Sequence, residues 1–333
     1  MTFTVVVPTI REECAVKWVQ EWKDDLKDAR VIIIEDNPEP TFNLPGVEHY
    51  AWKHIDQELG QDSWIIPRRT SACRSYGFLK ALQGETDLIW TTDDDCYPEE
   101  HRKGRYADLI RMNFRDVPDD GMWWNTISGT GLYPRGYPYD IRGRTRPVMV
   151  HHGLWSNIPD LDGITQLANP EFRLGWCQGS DVVPGTLFFP FCIMNVAFRP
   201  EATPLLYMLL MGKDSRDNPW GFDRFDDIWG GVMMKKIADH LGWAVTSGSP
   251  SVHHSRASDP HRNVQLEAEG MKVNEFFWDY IHDVWLTEET PAGCYRELAD
   301  AVGHFRHDTA RKGYWQTLSD AMKIWADLTE GSS

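Results

Sequence analysis

Near its start the chain carries a β-branched apolar run, "FTVVVPT" (3–9), which reads as a buried strand stopping at Pro8. Thr9 and Glu12 stand at capping-box spacing, and Cys14, Trp18, Trp22 and Leu26 recur every four residues with charges between them. That pattern predicts an amphipathic helix lying on a sheet. "RVIIIEDNPEP" (30–40) predicts a second buried strand that ends at Asp36 in a proline-rich turn. "SACRSYGFLKAL" (71–82) predicts a short helix, and "DLIWTT" (87–92) a third strand. Strand, helix, strand, helix, strand implies right-handed crossovers and a parallel sheet. Ligands of such sheets bind outside the carboxyl ends of the strands. Pro8, Thr9, Arg11, Asp36 and Asp93 to Asp95 fall there.

From about Met122 to Phe198 the chain is rich in Gly, Pro and Trp and shows little helical periodicity, which predicts long loops and an added mixed sheet over the site. From Asn274 on, helical patterns return in "EFFWDYIHDVW" and "YRELADAVGHF". The expected organisation is one large α/β domain over residues 1–273 with a helical extension, 274–333, packed on it.

Composition narrows the function. Across 333 residues, 34 Lys and Arg stand against 50 Asp and Glu, a formal charge of -16. Nucleic-acid binding needs a net basic surface, so no nucleic-acid partner is expected, and an anionic ligand must be held by local arginines or a metal. No apolar run approaches the roughly 20 residues of a membrane span, and no basic segment leads into a long apolar one at the start. The expectation is a soluble, cytoplasmic protein without a membrane partner. The six cysteines form no CxxC pair, which argues against a zinc site or a disulfide framework.

The candidate chemistry starts at "TTDDDC" (91–96). Asp93 and Asp95, in a D-x-D arrangement after a parallel strand, can share a hard divalent ion that neutralises a diphosphate; the plain alternative is a solvated turn or helix cap. Asp94 points elsewhere in that geometry, and its role is open. Upstream, Arg68, Arg69 and Arg74 are suited to diphosphate oxygens or to ordinary ion pairs. Asp226 and Asp227 precede "IWGGVMMKKIADHL" as helix-start acids, or with one of them facing a sugar as base or hydroxyl-holding group. His254 in "SVHHSRASDP" is a candidate third metal ligand. Trp155, Asn157 and Asn195 are the expected sugar contacts, while Trp220 and Trp229 read as apolar walls or core. Arg135 lies in "PRGYPYDIRGRTRP"; by itself a guanidinium stays protonated and is a poor nucleophile.

Together the segments "VVVPTIR" (5–11), "SACRSYGF" (71–78), "TTDDDC", "RGYPY" (135–139), "HGLWSNIPDLDGITQL" (152–167), "CIMNVAF" (192–198), "RFDDIWGG" (224–231) and "HHSRAS" (253–258) resemble the plant reversibly glycosylated polypeptides, the UDP-arabinopyranose mutase family. The resemblance implies a glycosyltransferase-A-like fold and a mutase that interconverts pyranose and furanose forms of a nucleotide sugar without flavin. It places a divalent ion, Mn2+ or Mg2+, and the nucleotide at Asp93, Asp94 and Asp95, and the family's reversibly glycosylated arginine at Arg135. Bacterial relatives act on GDP-hexoses, and Glu35 to Pro38 depart from the family's Q-D-G-D turn. The substrate is therefore expected to be a GDP-hexose, such as GDP-L-galactose or GDP-fucose, or UDP-arabinose. The rival readings are a metal-dependent glycosyltransferase and a self-glycosylating protein without turnover. Homo-oligomerisation is left open.

Overall fold

In the computed structural model β1 (Phe3–Thr9) is buried along its whole length, so its side chains must serve two cores. They alternate as a strand requires. Val6 joins Ile32, Ile34 and Ile89 on one face, and Phe3, Val5 and Val7 join Leu88 and Trp90 on the other. Residues 2–119, 121, 123–214, 216–255, 258–307 and 311–330 are described, which leaves Arg256 and Ala257 of the "HHSRAS" segment outside.

The first third runs α1 (Glu12–Trp22), β2 (Arg30–Glu35), β3 (Glu48–Tyr50), α2 (Trp52–Leu59), α3 (Arg74–Leu82) and β4 (Leu88–Thr92). β1 pairs in parallel with β2 and β4, and β2 with β3. The short β3 and α2 are additions to the sequence reading. The expected capping box does not form. Arg11 is the N-cap and no side chain caps it, because Thr9 Oγ1 instead donates to Asp94 Oδ2 at 2.6 Å. Ala15, Trp18 and Trp22 form the buried stripe of α1, and Leu26 is buried beyond the helix end. Trp22 Nε1 donates to the Cys96 carbonyl at 3.0 Å, and its ring meets Trp90 and Tyr106 edge-on. Truncating such a tryptophan to Ala costs about 3–5 kcal/mol.

Next come β5 (Cys96–Pro98), α4 (Tyr106–Met112), β6 (Val117–Pro118), β7 (Thr145–Arg146), β8 (Val148–Asn157), α5 (Gly163–Ala168), β9 (Ser180–Val182) and β10 (Asn195–Phe198). The chain then forms α6 (Asp226–His240), β11 (Ala244–His254), α7 (Pro260–Asp283), α8 (Pro291–His304) and α9 (Tyr314–Glu330). The strands expected as an added layer are instead the second half of the main sheet, whose order is β3-β2-β1-β4-β10-β8-β11-β5. β10 inserts antiparallel between β4 and β8, β11 runs parallel to β8, and β5 and β9 pair antiparallel with β11. The result is a mixed α/β sheet, parallel through its first four strands. Its two faces are covered by α1 and α4 on one side and by α3, α6, α8 and α9 on the other. α7 crosses the boundary expected between residues 273 and 274 without a break. None of the described helices is long and apolar enough to cross a membrane.

Candidate active site

From β1 the strand order runs to β2 and β3 on one side and to β4 on the other, which leaves a crevice at the carboxyl ends. Two adjoining cavities of about 580 and 940 Å³ occupy it. The smaller is lined by Pro8, Thr9 and Arg11 after β1, Asp36 to Pro38 after β2, Trp52, Arg69 to Ser71, and all three aspartates of the triplet. The larger shares Arg11, Arg69, Asp93 and Asp95 with it, then continues past Trp155, Asp160 and Phe191 to Met194 as far as Asp223 to Asp227.

Each aspartate of the triplet takes a different partner. Asp94 turns toward β1, accepting from Thr9 Oγ1 at 2.6 Å and from Arg11 Nη2 at 2.7 Å. Burial raises its pKa against the pull of those two bonds. Asp93 accepts from Arg74 Nη2. Asp95 has Arg11 Nη2 3.9 Å from one oxygen and His254 Nε2 3.9 Å from the other. Burial, then the charge of Asp93, push Asp95 up to about 6.

His254 Nδ1 lies 2.8 Å from the Ile158 carbonyl. A carbonyl only accepts, so Nδ1 carries the hydrogen, and in the neutral tautomer that this leaves the Nε2 lone pair faces Asp95. Two electron-rich atoms facing each other across that gap suit a hard cation. Among the described residues, no three His, Cys, Asp or Glu side chains converge into a finished metal cage. A Mg2+-like ion commonly takes one or two carboxylates from the protein and the rest from substrate phosphates.

Arg74, expected at the diphosphate, is a strut behind Asp93. Its side chain is fully buried. Nε donates to Ser71 O at 3.1 Å, and Nη1 to Thr91 Oγ1 at 3.0 Å and to Ile193 O at 3.2 Å. It lines neither cavity. Arg68 is likewise buried, paired with Asp56 at 2.8 Å. Arg69 lines both cavities, with a left-handed backbone at φ +61° and an exposed side chain paired with Asp217 at 2.7 Å. Asp36 Oδ1 accepts from Trp52 Nε1 at 2.7 Å and from Arg69 N at 2.9 Å, so this carboxylate sets the pocket wall. Burial raises its pKa against those bonds.

At the far end Asp226 and Asp227 open α6. Asp227 accepts Ile193 N at 3.0 Å on one oxygen and Ile228 N at 2.9 Å on the other. A helix N-terminus favours negative charge, but desolvation wins here. Burial, then Asp226 and Asp160, push Asp227 up to about 8, and burial pushes Asp226 up to about 6.

Three cavity residues escaped the sequence reading. Asp160 follows β8 in "IPDLDG", where a second D-x-D was the available signal. Arg224 sits at φ +62° and donates Nε to Glu267 Oε1 at 2.9 Å. Glu267 Oε2 accepts Gly163 N at 2.8 Å, so one carboxylate of α7 ties α5 to Arg224. Nothing local in a polar helical stretch marks Glu267.

The other expected contacts scatter. Trp155 does line the larger cavity. Asn157 stands at φ +67° and donates to the His254 carbonyl at 2.9 Å, bracing that strand. Asn195 is buried and saturated: Nδ2 donates to Leu154 O and Pro250 O, and Oδ1 accepts from Trp90 Nε1. Trp220 and Trp229 belong to the core, with Trp229 Nε1 donating to Asn274 Oδ1. Arg135 is exposed on the turn closed by Tyr137 N and Pro134 O at 3.1 Å, and it lines neither cavity.

Residues 2–332 match the family model described as reversibly glycosylated polypeptide. The chain is 32% identical over 337 residues to "UDP-arabinopyranose mutase 1" of Arabidopsis thaliana, covering 97% of this chain and 90% of that protein. It is 30% identical over 342 residues to "Probable UDP-arabinopyranose mutase 4" of the same plant, with 98% and 90% covered. With "UDP-arabinopyranose mutase 1" of Oryza sativa subsp. japonica the identity is 31% over 338 residues, with 97% and 89% covered.

Proposed function

The chain belongs to the reversibly glycosylated polypeptide family, and on that premise we propose that it is an enzyme interconverting the pyranose and furanose forms of a nucleoside-diphosphate sugar. The observation that supports this reading is one crevice joining a pocket at the β1/β4 switch to an acid-lined end at α6. The chain is similar over nearly its whole length to proteins named as such mutases.

In this reading the nucleoside lies in the smaller cavity against Pro8, Asn37 and Trp52, and the diphosphate lies where the cavities meet, facing Arg11 and Arg69. Asp93, Asp95 and His254 would hold a divalent ion, manganese or magnesium, since two of the three donors are hard carboxylates lining the place where the cavities meet. Such an ion supplies Lewis-acid stabilisation of a departing diphosphate. The chain's own part is orientation: Arg74 fixes Asp93 from behind, and Thr9 and Arg11 fix Asp94. Trp155, Phe191 and Ile193 wall the sugar end and limit water, which would otherwise intercept the activated anomeric carbon. An adduct on Arg135 requires its loop to carry it into the crevice, so wild-type turnover by Arg135→Ala would exclude that step.

The test is incubation with manganese and a panel of UDP- and GDP-pyranoses of arabinose, galactose and fucose, followed chromatographically. A mutase gives an equilibrium mixture of two isomers from at least one of them, and the panel assigns base and sugar. Net consumption with an acceptor labelled makes the protein a transferase, and stoichiometric self-labelling without turnover makes it a scaffold.

A further inference from the structure

We propose that Asp160 and Asp227 face the sugar of the bound nucleotide sugar as base and acid, and carry the proton exchanged between its two ring-forming oxygens. This rests on the mutase reading above and names the residues that perform the ring exchange itself.

Ring contraction replaces O5 by O4 on the anomeric carbon. In a balanced sequence the C1–O bond to the diphosphate breaks, its electron pair leaving with the diphosphate. O4 then adds to C1 and its hydroxyl proton passes to Asp160. The C1–O5 bond breaks next, and O5 takes the proton of Asp227. The diphosphate returns its electron pair to C1, and one proton goes back from Asp160 to Asp227 through solvent as product leaves. Two carboxyl groups of opposite protonation, facing one cavity, meet that demand.

The geometry supplies them from separate elements. Asp160 comes from the turn after β8 and Asp227 from the first turn of α6, and both line the larger cavity. Burial, then the charges of Asp226 and Asp160, raise the proton affinity of Asp227. Backbone N–H groups of Ile193 and Ile228 hold one oxygen each of Asp227, which fixes the plane of the carboxyl group. The Asp160 turn is fixed as well, because Glu267 grips Gly163 N just beyond it and Arg224 with its other oxygen.

A second observation points to a ligand. Asp226 is 9% exposed and lines the same cavity, and among the described residues no side chain or backbone N–H of another residue is found bonded to its carboxyl oxygens. Its carboxyl group is therefore available to the cavity, where a sugar hydroxyl can donate to it. The other charged groups around Asp227 are Asp226, Arg74 and Arg224, with the Cys192 thiol nearby.

The experiment compares wild type, Asp160→Asn and Asp227→Asn on the nucleotide sugar that wild type converts, using two readouts. One is pyranose–furanose conversion; the other is positional isotope exchange of 18O between the bridging and non-bridging diphosphate positions. The proposal expects conversion to fall at least about 100-fold in each variant, while isotope exchange, which needs only the first bond cleavage, stays within about tenfold of wild type. Surviving exchange also shows that the variant is folded. Wild-type conversion should decline above a pH of about 8, as Asp227 loses its proton, and this limb should be absent from the residual activity of Asp227→Asn. Conversion within about threefold of wild type in Asp160→Asn overturns the proposal, as does isotope exchange falling in step with conversion. Wild type that shows neither reaction with any sugar of the panel overturns the mutase reading itself, a result distinct from both.

Discussion

Replacing Arg74 by Met separates two readings of one residue. As a surface arginine gripping diphosphate, its loss would weaken nucleotide binding and leave the fold alone. As the buried strut seen here, its loss removes the donors serving Ser71 O, Thr91 Oγ1, Ile193 O and Asp93. Asp93 is 31% exposed and Ser71 is exposed, so both can recover water, and most of the cost falls on the buried Ile193 O, at about 1–3 kcal/mol if left unsatisfied. Thr91 Oγ1 keeps its own bond to Val6 O at 2.8 Å and loses less. The total is therefore about 1–3 kcal/mol, which should lower the melting temperature by roughly 2–8 °C. Arg74→Lys retains charge but not the planar fork and should fall between. The assay is a urea or thermal melt by circular dichroism, run beside calorimetric titration with UDP and GDP. A variant melting within about 1 °C of wild type while losing nucleotide affinity would refute the strut.

Three further outcomes follow from named contacts. Gly77→Ala puts a Cβ 2.3 Å from Val6 Cγ1, where α3 crosses β1; overpacking there should cost about 1–3 kcal/mol despite the better helix propensity, and a melt equal to wild type would show that the helix can step back. His151 and His152 are buried and held neutral, pushed down to about 3 and about 4 by desolvation. The unfolded chain binds protons at these sites from a pH of about 6.5 downward while the native state does not, so stability falls as pH drops through that value. By pH 5 each histidine should have removed about 2 kcal/mol, and urea midpoints that stay level between pH 7.5 and 5 would contradict the burial. Manganese titrated into the protein with a nucleoside diphosphate should show protein-bound electron paramagnetic resonance signals, which Asp95→Asn weakens at least about tenfold; unchanged binding would remove Asp95 from the metal site.

The crevice end beside β1 was legible because its signals are local: a β-branched run, a turn and three adjacent acids mark the strand and the carboxylates at its end. The end at α6 was only half legible. Asp226 and Asp227 stand out at a helix start, but Asp160, Arg224 and Glu267 reach the same cavity from three distant segments, and their meeting is a property of the packing. The amides Asn157 and Asn195 mislead for the same reason: side chains able to hold a sugar are equally able to satisfy buried carbonyls, and here they do. The second half of the sheet was hidden because β10 is four residues long and lies antiparallel among parallel neighbours.

Glu267 has a consequence for how the molecule breathes. The helix that carries it continues to Asp283 and buries Val273, Phe277 and Ile281 in the core shared with α8 and α9. A ligand that tightens the grip of Glu267 on Arg224 and Gly163 therefore stiffens the C-terminal helices from within. Their amide hydrogens should exchange with deuterium more slowly when the crevice is filled, although those helices lie outside it.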